Sequence, residues 1–258
     1  MESQAMFTNF NLQGTYAFSG MGWGGQSPLS SIGLLTFDGR EKVTGFTWQN
    51  LPGDQFGERK LLELPVKGTY TVNENGTGTM LPAEDTDPEM LLAIAKTNSL
   101  DGTEIVQEFS FVLRQLEPVT GNLFTAIAKR LPNDGEFNNA SLSGTYVGAA
   151  VGRGGQTPGA GFGILTYDGN GGFSESNVSN VQVGSFRERA FVTGSDQGIY
   201  TVNGNGTGTV AGGGLVFVIT EAEVVNGIKR ALEYAFIVAE LVPTNGSHFT
   251  GITKRRSD

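Results

Sequence analysis

The chain has 258 residues, 39 of them glycine, with no cysteine and a formal net charge of −9. Without cysteine it forms neither disulfides nor thiolate metal sites. Its acidity argues against nucleic acid, whose phosphates select a basic surface. No stretch approaches about 18 apolar residues, so no membrane span is expected.

The amino terminus lacks the basic region and the long apolar region of a signal peptide. Together with the absence of disulfides, this favours a cytoplasmic over a secreted protein. A signal peptide that had already been removed would leave the same sequence.

Residues 1–11 are predicted to form an N-terminal tail, and β-strands follow. The strands are runs of β-branched, aromatic and small residues bounded by Gly, Pro, Asn and Asp. The first four are predicted at 12–19, 32–37, 43–49 and a segment containing Pro65. A glycine-rich loop, 20–28, separates the first two.

The chain then reaches a ten-residue segment that it repeats. Residues 70–79 read YTVNENGTGT, and residues 200–209 read YTVNGNGTGT, at an offset of 130. Asn75-Gly76 is a strong turn signal between strand formers, so each copy is predicted to be a β-hairpin. Asn75 and Gly76 are predicted to take the two turn positions that need positive φ.

Three more strands complete the first copy. Residues 90–96 have the composition of a short helix, but their counterpart 215–219 is strand-like, so a strand is predicted in both copies. Both alternating sets of positions in these strands are apolar, which indicates cover on both faces. We expect them to pack the two barrels together or to form a homodimer contact. Strands at 104–116 and 124–129 follow.

The second copy begins at residue 142. Between residues 12–39 and 142–169, 14 of 28 positions are identical. The predicted organisation is therefore an N-terminal tail (1–11), a first repeat (12–131), a linker (132–141), a second repeat (142–255) and a C-terminal tail (256–258).

Eight antiparallel strands in sequence order close most simply into an up-and-down barrel, which leaves no exposed edge. The predicted fold class is thus all-β, with two tandem barrels of about eight strands each. A β-sandwich is the alternative. A barrel of this size is either filled by side chains or holds one small ligand.

Short motifs resemble known barrel proteins. Gly14-Thr15-Tyr16 and its second copy at 144–146 resemble the Gly-x-Trp opening of lipocalins, and Arg130 and Arg255 resemble the lipocalin arginine that lies across that ring. The whole repeat is similar to a bacterial group of uncharacterised β-barrel proteins. Allene oxide cyclases and dirigent proteins are similar in general shape. The resemblance implies a barrel with a pocket and implies no reaction.

Aromatic residues confined to the first copy suggest where a ligand binds. Trp23, Phe46 and Trp48 have Arg153, Ser176 and Val178 as counterparts. The first barrel is therefore predicted to be the host for an apolar ligand. The predicted ligand-binding residues are Trp23, Gln26, Phe46, Trp48, Phe109 and Phe111, with filling of a core as the alternative role.

Two carboxylates are the catalytic candidates. Glu108 and Glu233 begin the core stretches of matching strands. A glutamate that faced a closed apolar interior would have a raised pKa and could act as general acid or base. The alternative places both on the outer face, because inward aromatic residues alternate with them.

Other motifs carry no site. The string at 20–25 fits G-x-G-x-x-G but lacks the helix that a dinucleotide needs, and 168–172 lacks the later glutamate of a calcium loop. His248 is the one histidine. We predict neither a metal nor a cofactor.

Three functions remain open. The first is binding of a small, mostly apolar molecule in a lipocalin-like pocket. The second is a cofactor-independent cyclase or isomerase that acts on a small hydrophobic substrate. The third is a structural or interaction protein with filled barrels. A cavity separates the third function from the others, and a titratable group facing it separates catalysis from binding.

Overall fold

The structure is a computed structural model. It describes residues 6–23, 29–52, 59–83, 89–100, 102–114, 123–153, 159–184, 188–210, 214–238 and 248–257. Within these ranges, the helical segments are two three-residue 3-10 helices, Asn9–Asn11 and Asn139–Ser141. The rest of the described backbone is β-strand, with turns and short connecting segments.

Each repeat forms eight strands. The first repeat contains β1 (Gln13–Trp23), β2 (Leu29–Asp38), β3 (Lys42–Pro52), β4 (Arg59–Val72), β5 (Thr77–Pro82), β6 (Glu89–Leu100), β7 (Thr103–Arg114) and β8 (Leu123–Arg130). The second contains β9 (Ser143–Arg153), β10 (Gly159–Asp168), β11 (Gly172–Gln182), β12 (Arg189–Val202), β13 (Thr207–Val210), β14 (Leu215–Val225), β15 (Ile228–Val238) and β16 (His248–Arg255).

Both sheets are closed antiparallel barrels in sequence order. β1 pairs with both β2 and β8, and β9 pairs with both β10 and β16. The prediction of two tandem eight-stranded barrels is therefore confirmed, and the sandwich alternative is excluded. The segments predicted as strands at 90–96 and 215–219 are strands, within β6 and β14.

The turn of the repeated hairpin is longer than the two-residue turn that its sequence predicts. Gly76 has φ of +81° and Gly206 of +87°, but Asn75 has no positive φ, so the prediction of two positive-φ positions is wrong. The Asn75 side chain instead accepts a hydrogen bond from the Thr77 amide at 3.1 Å. One glycine in the left-handed region is sufficient because the loop is a longer turn closed by a glycine.

A tyrosine anchors the closed end of each barrel to the adjoining 3-10 helix. Tyr70 Oη donates to the Leu12 carbonyl at 2.9 Å, and Tyr200 Oη donates to the Leu142 carbonyl at 2.7 Å. Arg255 lies 5.7 Å from the centre of the Tyr146 ring. The predicted arginine contact at the barrel floor is thus present in the second copy.

The two barrels contact each other through different faces. The outer wall of the first barrel at β1 and β2 packs on the outer wall of the second at β14 and β15. Residues buried in this contact are Ala17, Ile32 and Leu34 from the first barrel and Val216, Val218, Ala235 and Ile237 from the second.

Only one of the two apolar strands predicted at the contact takes part in it. Val216 and Val218 of β14 are buried against the first barrel, as predicted. Leu91, the counterpart of Val216 in β6, is 37% exposed. β6 takes no part in the contact between the barrels because unlike faces of the two copies meet there, and its homodimer alternative stays a prediction.

Polar bonds also cross the contact. Asn50 Nδ2 donates to the Val238 carbonyl at 3.0 Å. Lys129 Nζ lies 2.7 Å from Glu233 Oε1 and 3.3 Å from Glu221 Oε2. These bonds fix one orientation of the barrels, because each depends on direction and distance.

Candidate functional site

Aromatic side chains fill the interior of the first barrel. Tyr16, Phe37 and Phe109 pack edge to face with ring centres 5.3–5.6 Å apart, a favourable geometry for aromatic pairs. Phe18 packs on Phe111 at 5.5 Å in the next layer. This packing favours a structural role for the first barrel's interior.

The predicted ligand-binding residues do not come together in one place. Phe109 and Phe111 are buried inside the first barrel. Phe46 and Trp48 instead lie on its outer wall, beside the contact with the second barrel, because the inward positions of β3 belong to Val43 and Thr47. Their expected inward position is therefore corrected.

Two of the predicted residues cannot be placed as side chains. Trp23 ends β1, and only its backbone is described. Gln26 lies outside the described residues. Its role, like that of the other predicted ligand-binding residues, stays a prediction.

The two candidate catalytic carboxylates lie on the outer wall. Glu233 is buried between the barrels, where Lys129, Lys254 and Thr220 surround its oxygens at 2.7–3.1 Å. Burial opposes ionisation of Glu233, but the hydrogen bonds from Lys129 and Thr220 outweigh it and hold its pKa below the ordinary value. Glu108 precedes the inward Phe109 on β7, as the outer-face alternative requires.

A cavity of about 280 Å³ lies inside the second barrel. Its apolar part is formed by Leu165, Phe173, Leu215, Phe236 and Val238. Polar side chains from β11 and β12 line the other part, together with the hydroxyls of Tyr167, Tyr234 and Thr253. A mostly apolar lining with few converging polar groups is typical of small-molecule sites.

The cavity exists because of one exchange between the copies. Gly148 stands where the first barrel has Phe18. In the first barrel, the Phe18 ring covers Gly33, with its edge 2.8 Å from where a Cβ on that glycine would lie. In the second barrel, the space beside the equivalent Gly163 is reached by Glu175 Oε1 at the same 2.8 Å. In the second barrel, a carboxylate thus occupies the space that a benzyl side chain occupies in the first.

β11 provides the polar wall. Glu175, Asn177 and Ser179 alternate along this strand and face the cavity, as side chains two apart do on a strand. Asn177 Nδ2 donates to Glu175 Oε1 at 3.2 Å. Burial raises the pKa of the Glu175 carboxyl, and the charge of Asp196 adds to the increase, whereas the Asn177 hydrogen bond opposes it.

Hydroxyl groups form a second polar patch. The Oη atoms of Tyr167 and Tyr234 are 2.6 Å apart and share a hydrogen bond. Burial raises the pKa of Tyr234 to about 12 and raises that of Tyr167 as well. Both phenols therefore stay protonated at neutral pH and present neutral hydroxyls.

Thr253 adds an unpaired hydroxyl to this patch. It is fully buried, and its Oγ1 lies near Tyr234 without a hydrogen bond of normal geometry to any described residue. A Cβ on Gly148 would lie 2.6 Å from this oxygen. The hydroxyl therefore faces the space that the missing side chain leaves. A buried unpaired polar group of this kind costs about 1–3 kcal/mol, which a bound partner could offset.

The sequence contained signals for this site. Comparison of the copies shows Gly148 opposite Phe18 and Glu175 opposite Gly45. The ligand site is predicted in the first barrel because only that copy carries the additional aromatic residues. The cavity instead lies in the second barrel, where a large side chain is missing.

Neither search of known proteins identified a relative: the chain matches no protein-family model and no characterised protein. Within the described ranges, no group of three or more His, Asp or Glu residues could hold a metal ion. The described part of the chain also contains no helix that is long and apolar enough to cross a membrane. The fold and the cavity define a tandem β-barrel protein with aromatic packing inside its first barrel and a cavity inside its second. The barrels are consistent with a lipocalin-like fold.

Proposed function

We propose that this protein binds a small, mostly apolar molecule inside its second barrel. The observation that carries the proposal is the cavity of about 280 Å³ at the position where Gly148 replaces Phe18. The volume is close to the lower end of the roughly 300–1,000 Å³ range of ligand pockets. The first barrel then serves as the packed half of the molecule.

The test restores the first barrel's residues in the second. Gly148→Phe, Glu175→Gly and Thr253→Ala together reproduce Phe18, Gly45 and Ala128. Calorimetric titration with hexan-1-ol should show binding to the unmodified protein and none to this triple variant. A second variant, Ala150→Leu, reduces the cavity by one side chain and should weaken binding.

Trp48→Ala is the matched control, because Trp48 lies on the outer wall of the first barrel. It should leave hexan-1-ol binding unchanged. Loss of binding in Trp48→Ala but not in the triple variant would contradict the proposal and would favour the first barrel as the host.

A cyclase or isomerase is the second candidate, because Glu175 is a titratable group that faces the cavity. Burial raises its pKa, and a carboxyl with a raised pKa is the kind of group that acts as a general acid or base. Exchange of the α-protons of cyclohexanone in heavy water, followed by NMR, tests the idea. Exchange that Glu175→Gln abolishes would support it, and exchange no faster than in buffer would contradict it.

A further inference from the structure

The polar part of the second barrel's cavity suggests the chemistry of its ligand. Among the described residues that line the cavity, Glu175 and Asp196 are acidic, and none is Lys, Arg or His. Ionised carboxylates without a neighbouring cation repel an anionic head group and attract a cationic one. The cavity therefore differs from one built to hold a fatty acid.

Two oxygens that face the cavity also accept fewer hydrogen bonds than they could. Glu175 Oε1, the oxygen that lies toward Gly163, accepts one hydrogen bond, from Asn177. The buried Thr253 Oγ1 lies near the Tyr234 hydroxyl and has no hydrogen bond of normal geometry to the described residues. Both oxygens can accept hydrogen bonds, and a buried carboxylate is stabilised most by a charged donor.

We infer that the ligand is an amphiphilic amine, with an apolar body against Phe173 and Phe236 and a protonated amino head beside Glu175. This inference rests on the proposed binding function of the same cavity. The ammonium group has three donors and no acceptor, which matches a wall of carboxylate, amide and hydroxyl oxygens. The apolar body would occupy the part of the cavity formed by Leu165, Leu215 and Val238.

The experiment compares three probes that differ only in their head group. Hexylamine, hexan-1-ol and hexanoate are titrated into the full-length protein at neutral pH and moderate salt. Hexylamine should bind about tenfold tighter than hexan-1-ol, the gain of one charge-assisted contact, and hexanoate should bind most weakly. Equal affinities, or tighter binding of hexanoate, would overturn the inference.

Glu175→Gln separates the specific contact from general attraction to an acidic protein. It should weaken the binding of hexylamine about tenfold more than it changes the binding of hexan-1-ol, which removes the preference for the amine. Glu41→Gln removes an exposed carboxylate from the first barrel and should leave the preference intact. Equal effects of the two variants would show that net charge alone attracts the amine and would overturn the inference.

Failure of this inference differs from failure of the proposed function. If hexan-1-ol binds and the triple variant abolishes that binding, but hexylamine has no advantage, the cavity is a binding site for another class of molecule. If none of the three probes binds, both the function and the inference are wrong.

A second, independent observation concerns association between chains. The barrels are copies, and their contact uses the β1–β2 face of one and the β14–β15 face of the other. The equivalent faces remain uncovered: Leu91 and Val112 on β6–β7, and Val147, Phe162 and Ile164 on β9–β10, are exposed. Phe162 is 57% exposed, whereas its counterpart Ile32 is fully buried.

The structure assigns these two faces to each other, in a head-to-tail contact between two copies of the chain. The contact would repeat the one inside the chain, in which unlike faces meet. Lys254, the counterpart of Lys129, would approach Glu108, the counterpart of Glu233. Lys96 stands where the second barrel has Glu221, so one ion pair is lost and the contact is weaker than the internal one.

Sedimentation velocity across a wide concentration range tests the contact. The unmodified protein should form a dimer and larger species as concentration rises. Phe162→Asp and Val112→Asp should each be monomeric alone, and their mixture should form a dimer and nothing larger, because one intact face remains on each chain. Ile199→Asp, a change at an exposed residue outside both faces, should associate normally.

Three outcomes would overturn the assignment. The first is an unmodified protein that stays monomeric at every concentration. The second is a Phe162→Asp variant that still associates. The third is a mixture of the two aspartate variants that does not associate, since this would indicate contact between like faces.

Discussion

Glu233 is the buried carboxylate of the polar contact between the barrels. Its side chain is 6% exposed, and Lys129 from the first barrel lies 2.7 Å away. Lys254 of its own barrel lies 3.1 Å away and is 68% exposed. The buried carboxylate therefore relies on one well-shielded partner and one that is open to water.

Lys129→Met should destabilise the protein by about 2–3 kcal/mol, because it leaves a buried carboxylate without its closest cation. The value lies below that of a fully buried pair because the Lys129 side chain is 22% exposed. Lys254→Met, the matched control, should cost less than about 1 kcal/mol as an exposed pair does. Urea unfolding measures both, and equal losses would contradict this account.

The same ion pair should limit stability at low pH. The pKa of Glu233 is lowered in the folded protein, so its contribution is present above the ordinary value of about 4.3 and is lost as pH falls through the folded value. Glu233→Gln should therefore have a shallower loss of stability in acid than the unmodified protein. Thermal unfolding between neutral pH and mild acid measures the difference.

Glu175 should act in the opposite direction. Its pKa is raised in the folded protein, so the stability linked to its protonated form is present below the ordinary value and is lost as pH rises through the folded value. Glu175→Gln should therefore stabilise the ligand-free protein at neutral pH. The gain should shrink in mild acid, and a gain that grows in acid would contradict the assignment.

At the scale of elements, the repeated hairpin is the most predictable part of the fold. Its turn needs a residue in the left-handed region, and Gly206 provides it with φ of +87°. A Cβ on Gly206 would also lie 3.0 Å from the Phe137 ring. Gly204, two residues earlier, has open space around it and no positive φ.

Gly206→Ala should destabilise the protein by about 1–2 kcal/mol, because alanine is strained at positive φ and also crowds Phe137. Gly204→Ala should be neutral or slightly stabilising, since it only restricts the unfolded chain. Chemical unfolding of both variants checks this pair. Similar losses in both would show that the turn's backbone conformation is not the cause.

Several strand-level features could be read from the sequence, and others could not. The β6 segment is predicted to be a strand from its counterpart at 215–219, because duplicated segments are expected to have the same secondary structure. The face that Phe46 and Trp48 occupy was missed because Pro65 and Gly45 obscure the alternation near β3. The sequence does not show which of the two apolar strands, β6 or β14, lies at the contact between the barrels. That choice depends on how the outer surfaces of two closed barrels fit together, and a local sequence pattern does not contain this information.

At the scale of the whole molecule, the duplication provides an internal control for burial. Ile32 and Phe162 occupy the same position in the two barrels, yet Ile32 lies in the barrel contact. Ile32→Ala should cost about 2–4 kcal/mol, the range for removing a buried aliphatic side chain. Phe162→Ala should change stability by less than about 0.5 kcal/mol. Urea unfolding in dilute solution, where chains are separate, tests both.

The division into a packed and a hollow barrel was partly visible in the sequence. Loss of the Phe18 side chain at Gly148 predicts missing volume, and gain of Glu175 predicts a polar group in an interior position. The sequence alone does not show whether neighbouring side chains close such a space. Here Thr253 and Tyr234 leave it open, because the strands of a closed barrel cannot move together to fill it.

The fluorescence of Trp48 can report on the contact between the two barrels. Its indole is partly buried against the apolar cluster that joins the two barrels, with Nε1 donating to Glu63 at 2.9 Å. Separation of two folded barrels would expose this ring to water and shift its emission to longer wavelength. In a Trp23→Phe background, Trp48 would be the sole tryptophan. Its emission wavelength would then report whether the two barrels are in contact, separately from the unfolding of either barrel.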